Sequence, residues 1–259
     1  MASQQHKYSQ AGAPIKIWSW FQIFGHVVRG LAILFLQFPF IPQQSKDIHI
    51  KNWSRKLLEI FGFQLKVKNS EILPSKPFLL VANHISWMDI HAINSFSPIR
   101  FVAKSEVEEW PIFGWMAKQL GTIFIKRNNA RHARQIAGDI ALVLNAQSVC
   151  IFPEGTSTDG EAVLPFKPNL FEAAIIANAP VYSLAISYKS AISGMRNIAP
   201  AFIGEMGLLE SMSNILNSSN LLVELSFLPP PESVTALGRD RKWLALQSQE
   251  AISNHLSDR

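Results

Sequence analysis

Residues 77–89 read Pro77-Phe78-Leu79-Leu80-Val81-Ala82-Asn83-His84-Ile85-Ser86-Trp87-Met88-Asp89. The run from Phe78 to Ala82 is unbroken apolar sequence bounded by a proline, the pattern of a strand buried on both faces. A histidine and an aspartate follow at once. They are five residues apart, so one regular helical face does not present both. His84 therefore belongs to the turn that leaves the strand, and Asp89 to the first turn of a helix behind it. Ser86 reads as the N-cap of that helix, with Asp89 in the reciprocal capping position three residues later. The two side chains then meet across a strand-to-helix turn, where a base and its orienting carboxylate are useful.

Working outward, the chain from residue 63 alternates short apolar runs with longer amphipathic ones. Strands are expected over 63–67, 78–82, 99–102, 122–125, 148–152, 181–187 and 221–227. Helices are expected after Ser86, Glu106 and Asn129, and over 169–177, 208–217 and 239–256. This alternation predicts an α/β fold with a mostly parallel central sheet flanked by helices. Such sheets bind ligands beyond the carboxyl ends of their strands. Three successive strand ends carry unusual residues: His84 after Ala82, Lys126-Arg127 after Ile125, and Pro153-Glu154-Gly155-Thr156 after Phe152.

Ahead of the sheet lies a different kind of sequence. Residues 17–44 hold one formal charge, Arg29, among many large apolar side chains. Trp18, Trp20, Phe21, Phe24, Arg29, Phe35 and Phe38 are the expected membrane contacts. Arg29 and His26 fall near the middle, which suits a deep interfacial helix whose polar ends snorkel better than a simple span. The run ends Phe-Pro-Phe-Ile-Pro instead of in small residues, so it reads as uncleaved. Residues 1–80 contain ten Lys/Arg against three Asp/Glu, whereas the whole 259-residue chain has a net charge of only +5. Basic plus apolar points to an anionic bilayer, and no motif supports nucleic acid. The organisation expected is a flexible tail over 1–14, a two-helix membrane-associating element over 15–62, and an α/β domain over 63–259. A single cysteine, Cys150, sits in an apolar run and reads as a buried thiol, with no internal disulfide to form.

The motifs suggest chemistry. A neutral His84 imidazole can take a proton from an alcohol, and Asp89 can hold its tautomer. Phe152-Pro153-Glu154-Gly155-Thr156-Ser157 runs a buried strand into a glycine turn, with Gly155 an oxyanion-donor candidate and Glu154 able to accept a substrate hydroxyl. Lys126, Arg127 and Lys104 follow strands and suit a phosphate or other anionic head, or equally a solvated basic strand end. Substrate binding is assigned to Lys104, Lys126, Arg127, Glu154, Gly155, Thr156 and Ser157.

Taken together, these blocks resemble the 1-acyl-glycerol-3-phosphate acyltransferases, the glycerolipid acyltransferase family. Its Asn-His, four residues, Asp signature matches Asn83, His84 and Asp89. Its second block resembles residues 121–127, its third 152–156, and its fourth Ala179-Pro180-Val181. The resemblance implies an acyl thioester donor (acyl-CoA or acyl-ACP), a membrane lysolipid acceptor, no bound cofactor and no metal. It also implies residence at a bacterial-type inner membrane, on the cytoplasmic face, monotopic or N-terminally anchored. Relatives acting on lysophosphatidate usually carry arginine after the Glu-Gly-Thr, where this chain has Ser157. The string through Gly160 and the segment Phe202-Ile203-Gly204-Glu205-Met206 resemble the lyso-ornithine lipid acyltransferase branch. That makes lyso-ornithine lipid the expected acceptor, with phosphatidate synthesis as the alternative. A metal-dependent lipid hydrolase using His84, Asp89 and Glu154, or a membrane-binding protein without activity, are the rival classes.

Overall fold

The computed structural model describes residues 13–125, 130–230 and 240–257. In chain order the elements are α1 (Ala13–Leu36), α2 (Gln43–Ile60), β1 (Phe63–Lys68), β2 (Leu79–Ala82), α3 (Met88–Phe96), β3 (Arg100–Lys104), α4 (Ser105–Glu108), α5 (Phe113–Gln119), β4 (Ile123–Ile125), α6 (Ala130–Leu144), β5 (Val149–Ile151), α7 (Glu172–Ile176), β6 (Val181–Ser190), α8 (Leu208–Leu216), β7 (Leu221–Leu228) and α9 (Arg241–Ser257). Single 3-10 turns lie at Ser70–Ile72 and Pro168–Phe171.

The seven strands form one sheet in the order β1-β7-β6-β2-β5-β3-β4. Every neighbouring pair is parallel except β6 and β7, which pair antiparallel from Ser183↔Leu228 to Ser190↔Leu221. All four residues of β2 are buried, as a central strand covered on both faces requires. Alternation divides them: Leu80 and Ala82 join Met88, Ile93, Leu184, Ile186 and Leu57 on one face. Leu79 and Val81 join Val149, Ile151 and Ile140, together with Phe171, Leu244 and Ile252, on the other. Cys150 is fully buried within β5.

Two helical expectations change. The helix expected after Glu106 splits into α4 and α5, because Pro111 cannot donate to a continuing helix and constrains the residue before it. Ile112 turns the chain there with φ 66°. Ser86 is not the N-cap; Trp87 holds that position. Ser86 Oγ accepts the Met88 N–H at 3.2 Å, and Asp89 Oδ2 accepts the Ser86 N–H at 3.0 Å, the reciprocal contact expected of Asp89.

Helices α1 and α2 pack against α3 and α5. Leu34 and Phe38 meet Met116 in a small separate cluster. The rings of His26 and Trp53 stack at 4.5 Å. Trp53 Nε1 donates to the His26 carbonyl at 3.1 Å, and His26 Nε2 lies 2.9 Å from the Trp53 carbonyl. A Cβ on Gly30 would come within 2.6 Å of Trp53 Nε1, so α1 reaches this distance only with glycine there. These contacts correct part of the membrane-facing set. Phe38 is buried, Trp20 packs on the main core, and His26 points inward to α2 instead of snorkelling. Trp18, Phe21, Phe24, Arg29 and Phe35 are exposed. The segment Ile17–Leu36 is long and apolar enough to cross a membrane.

Candidate active site

The carboxyl end of β2 is held to β6 by a side chain that imitates backbone. Asn83 Nδ2 donates to the Ile186 carbonyl at 3.0 Å, and its Oδ1 accepts the Ile186 N–H at 2.8 Å. The sheet ladder is thus continued one residue past the strand, while the main chain is free to turn. The next residue, His84, is fixed from both sides. Its N–H donates to Glu154 Oε1 at 2.7 Å, and its carbonyl accepts the Thr158 N–H at 2.9 Å.

His84 Nδ1 lies 2.8 Å from Asp89 Oδ2. The same oxygen accepts the N–H groups of Ile85 at 2.8 Å and Ser86 at 3.0 Å. The other, Oδ1, accepts the Tyr188 hydroxyl at 2.6 Å. Four donors therefore hold the fully buried carboxylate in one orientation. Because a carboxylate accepts, neutral His84 carries its proton on Nδ1, and its Nε2 lone pair has no partner among the described residues. The ring is stacked on Phe152 at 4.2 Å, and Phe152 on Phe101 at 6.1 Å. Its side chain keeps 22% exposure, enough for a substrate to reach it. Burial, then the Asp89 carboxylate, push the Tyr188 phenol well above its ordinary range, so it stays a donor.

His84 opens on a cavity of about 830 Å³, lined mostly by apolar side chains. One wall is the strand-end turn, Phe152 to Ser157. The other is built by α1, α2 and α5, with Val27, Leu34, Trp53 and Met116 among its residues. Charged groups on the lining are Lys104, Glu106 and Lys167. The arrangement can take a proton from a hydroxyl presented at Nε2 while an apolar chain lies in the cavity.

The remaining expected residues are used in several ways. Lys104, Gly155, Thr156 and Ser157 line the cavity. Glu154 is buried, and its oxygens accept the His84 N–H and, at 2.9 Å, the Leu164 N–H. It is a bracket between two loops, not an open hydroxyl acceptor. Burial pushes its carboxyl up, against the pull of those two N–H groups. Gly155 has φ 72°, the left-handed turn expected of it, but its N–H donates to the Phe152 carbonyl at 3.1 Å. That commitment removes it as the oxyanion donor. The Ser157 hydroxyl donates to the Phe202 carbonyl, and the Phe202 N–H to the Ile85 carbonyl at 2.9 Å. Ser157 thus ties the 202–206 segment to the catalytic turn instead of standing free for a head group. Lys126 and Arg127 lie outside the described residues. The sequence reading missed Tyr188, having ended the strand at residue 187. The alternation Leu184, Ile186, Tyr188 on one face would have shown it. His84, Asp89 and Glu154 are committed to the bonds above, and among the described residues no group of three His, Cys, Asp or Glu converges as metal ligands would.

An Acyltransferase family model matches residues 64–187. A lyso-ornithine lipid O-acyltransferase of Pseudomonas aeruginosa is 35% identical, over 77% of this chain and 75% of that one. A 1-acyl-sn-glycerol-3-phosphate acyltransferase of Neisseria meningitidis is 34% identical over 83% of each. The crystal structure of the 1-acyl-sn-glycerophosphate (LPA) acyltransferase of Thermotoga maritima superposes with a TM-score of 0.66. It covers 95% of this chain and 94% of that one at 20% identity, which establishes a shared fold.

Proposed function

We propose, starting from the fact that this chain belongs to the glycerolipid (1-acyl-glycerol-3-phosphate) acyltransferase family, that it moves a fatty acyl group from an acyl thioester to the free hydroxyl of lyso-ornithine lipid. It is an acyltransferase; donor and acceptor are the proposal. One observation carries the mechanism: a histidine, oriented by a four-bonded buried carboxylate, faces a large apolar cavity.

In the proposed reaction the acceptor hydroxyl gives its proton to His84 Nε2 as its oxygen attacks the thioester carbonyl. Asp89 stabilises the imidazolium. The new C–O bond forms, the tetrahedral intermediate collapses, the C–S bond breaks, and the imidazolium proton goes to the departing thiolate. The oxyanion is met by the turn amides after Gly155, at Thr156 and Ser157, on the cavity wall. No enzyme nucleophile is required. The thioester is carried by CoA or by acyl carrier protein, and no bound cofactor takes part.

The acceptor reading rests on charge. The lining carries Lys104 and Lys167 together with Glu106. Both signs suit a zwitterionic amino-acid head better than a phosphate monoester, which wants cations alone. The name of the Pseudomonas relative agrees. The name of the Neisseria relative favours the second reading, lysophosphatidate as acceptor, and Lys126 and Arg127 would serve it. The exposed stripe Trp18, Phe21, Phe24 and Phe35 is the proposed bilayer contact, with Arg29 reaching the head groups, on the cytoplasmic face of a bacterial inner membrane. The test offers lyso-ornithine lipid and lysophosphatidate in competition to the detergent-solubilised enzyme, with each donor. Lyso-ornithine lipid is expected to win; equal or greater turnover of lysophosphatidate overturns the acceptor assignment.

A further inference from the structure

The apolar cavity contains a polar spot that the proposed transfer does not use. His91 lies in α3 one turn beyond the cap, with Asn94 three residues later, so both project from one face of the helix. Both line the cavity that His84 opens on. At 1.5 Å per residue they lie about 3 and 7.5 Å along the helix axis beyond Asp89.

Each presents a donor. Asn94 is buried, and its Oδ1 accepts the Ile99 N–H at 3.2 Å. Since that partner is a donor, the oxygen is identified, and the amide nitrogen faces the other way. The His91 ring packs at 5.4 Å from Trp53 and 5.8 Å from Trp87. Its Nδ1 is buried with no hydrogen-bond partner among the described residues. An unpaired lone pair is tolerated better than an unpaired N–H, so the proton belongs on Nε2. The ring's remaining accessible edge is toward the cavity. Burial, with a smaller contribution from His26, holds the imidazole neutral, its pKa lowered to about 4.

We infer that His91 and Asn94 form a two-donor subsite for a neutral acceptor oxygen on a lipid chain lying in the cavity. The occupant would be a hydroxyl or carbonyl oxygen, because an anion would lose its hydration to two uncharged donors and apolar walls. Two sources share this chemistry: a hydroxyl on the incoming acyl chain, and the carbonyl that joins the acceptor's existing chain. The inference rests on the acyltransfer reading.

The experiment measures kcat/KM for the full-length enzyme in two arms. The first compares 3-hydroxyacyl with unsubstituted acyl thioesters of equal length, at a fixed acceptor. The second compares acceptors whose own chain is joined through a carbonyl or through an ether, at a fixed donor. Wild type is expected to favour the oxygen-bearing member in one arm by roughly tenfold. His91→Phe keeps the ring between the two tryptophans and removes the donor, so the ratio should fall toward one. His91→Gln, which keeps an N–H, should restore part of it. A wild-type ratio near one in both arms, or a ratio unchanged by His91→Phe, overturns the subsite. Wild-type turnover of the unsubstituted donor keeps the two readings apart: its absence removes the acyltransfer assignment and this subsite with it, whereas turnover without preference removes the subsite alone.

Discussion

The two walls of the cavity are built on opposite physical plans. The strand-end wall is a lattice of hydrogen bonds. Asn83, His84, Asp89, Glu154, Thr158 and Tyr188 each bond to partners far along the chain or across a turn. The helical wall, from α1, α2 and α5, is held by Leu34, Phe38 and Met116, with the reciprocal His26–Trp53 bonds as its polar seam. Hydrogen bonds fix direction as well as distance, whereas apolar contacts fix volume and tolerate sliding. A base that must meet one proton belongs on the first wall. A surface that accommodates a flexible chain belongs on the second.

That contrast can be broken by substitutions on either side. On the first wall, Asp89→Asn keeps size but brings an amide N–H against the donors that now surround the carboxylate. Activity should fall about 10⁴-fold by steady-state kinetics, the scale of losing the correct imidazole tautomer. A loss under tenfold would mean that His84 is oriented by something else. A smaller effect belongs to pH. The neutral His91 has its pKa lowered to about 4 from 6.5 in the fold. The unfolded chain therefore takes up that proton first as pH falls. Stability present above pH 6.5 should be lost progressively toward pH 4, by about 3 kcal/mol in total. Denaturant melts of His91→Phe should show a correspondingly flatter acid limb.

On the second wall, Gly30→Val drives side-chain atoms into Trp53 and pushes α1 from α2. About 2 kcal/mol of stability should be lost. The selectivity for acyl chain length should change while kcat on a short-chain donor changes little. A fall in kcat equal for every donor would show the two walls to be mechanically coupled. The mildest change expected is Tyr188→Phe, which strips one of four donors from Asp89 in a dry site. Roughly tenfold in kcat should go, with about 1 kcal/mol of stability.

The same division explains what the sequence made legible. All seven strands were read to within a few residues, because buried strands write themselves as apolar runs bounded by turn residues. The His84–Asp89 pair was legible because both members lie in one turn. Features set by distant partners were not. Nothing near Ser157 says that its hydroxyl is taken by Phe202, 45 residues away. Trp20 and Phe38 looked like their lipid-facing neighbours by composition. Trp20 is turned inward by its angular position on α1, and Phe38 by the turn that follows that helix, which brings it against Leu34 and Met116. The apolar length of α1 is visible in sequence, but the face it presents depends on the fold.

The central claim is that acyl transfer takes place directly onto the acceptor hydroxyl, with His84 as base. Thiol release from an acyl thioester, followed with and without lysolipid in wild type and in a folded His84→Ala protein, tests it most directly. Wild type is expected to release thiol only when acceptor is present, and His84→Ala to lose at least about 10⁴-fold. A stoichiometric burst of thiol without acceptor, or near-normal turnover by His84→Ala, would contradict it.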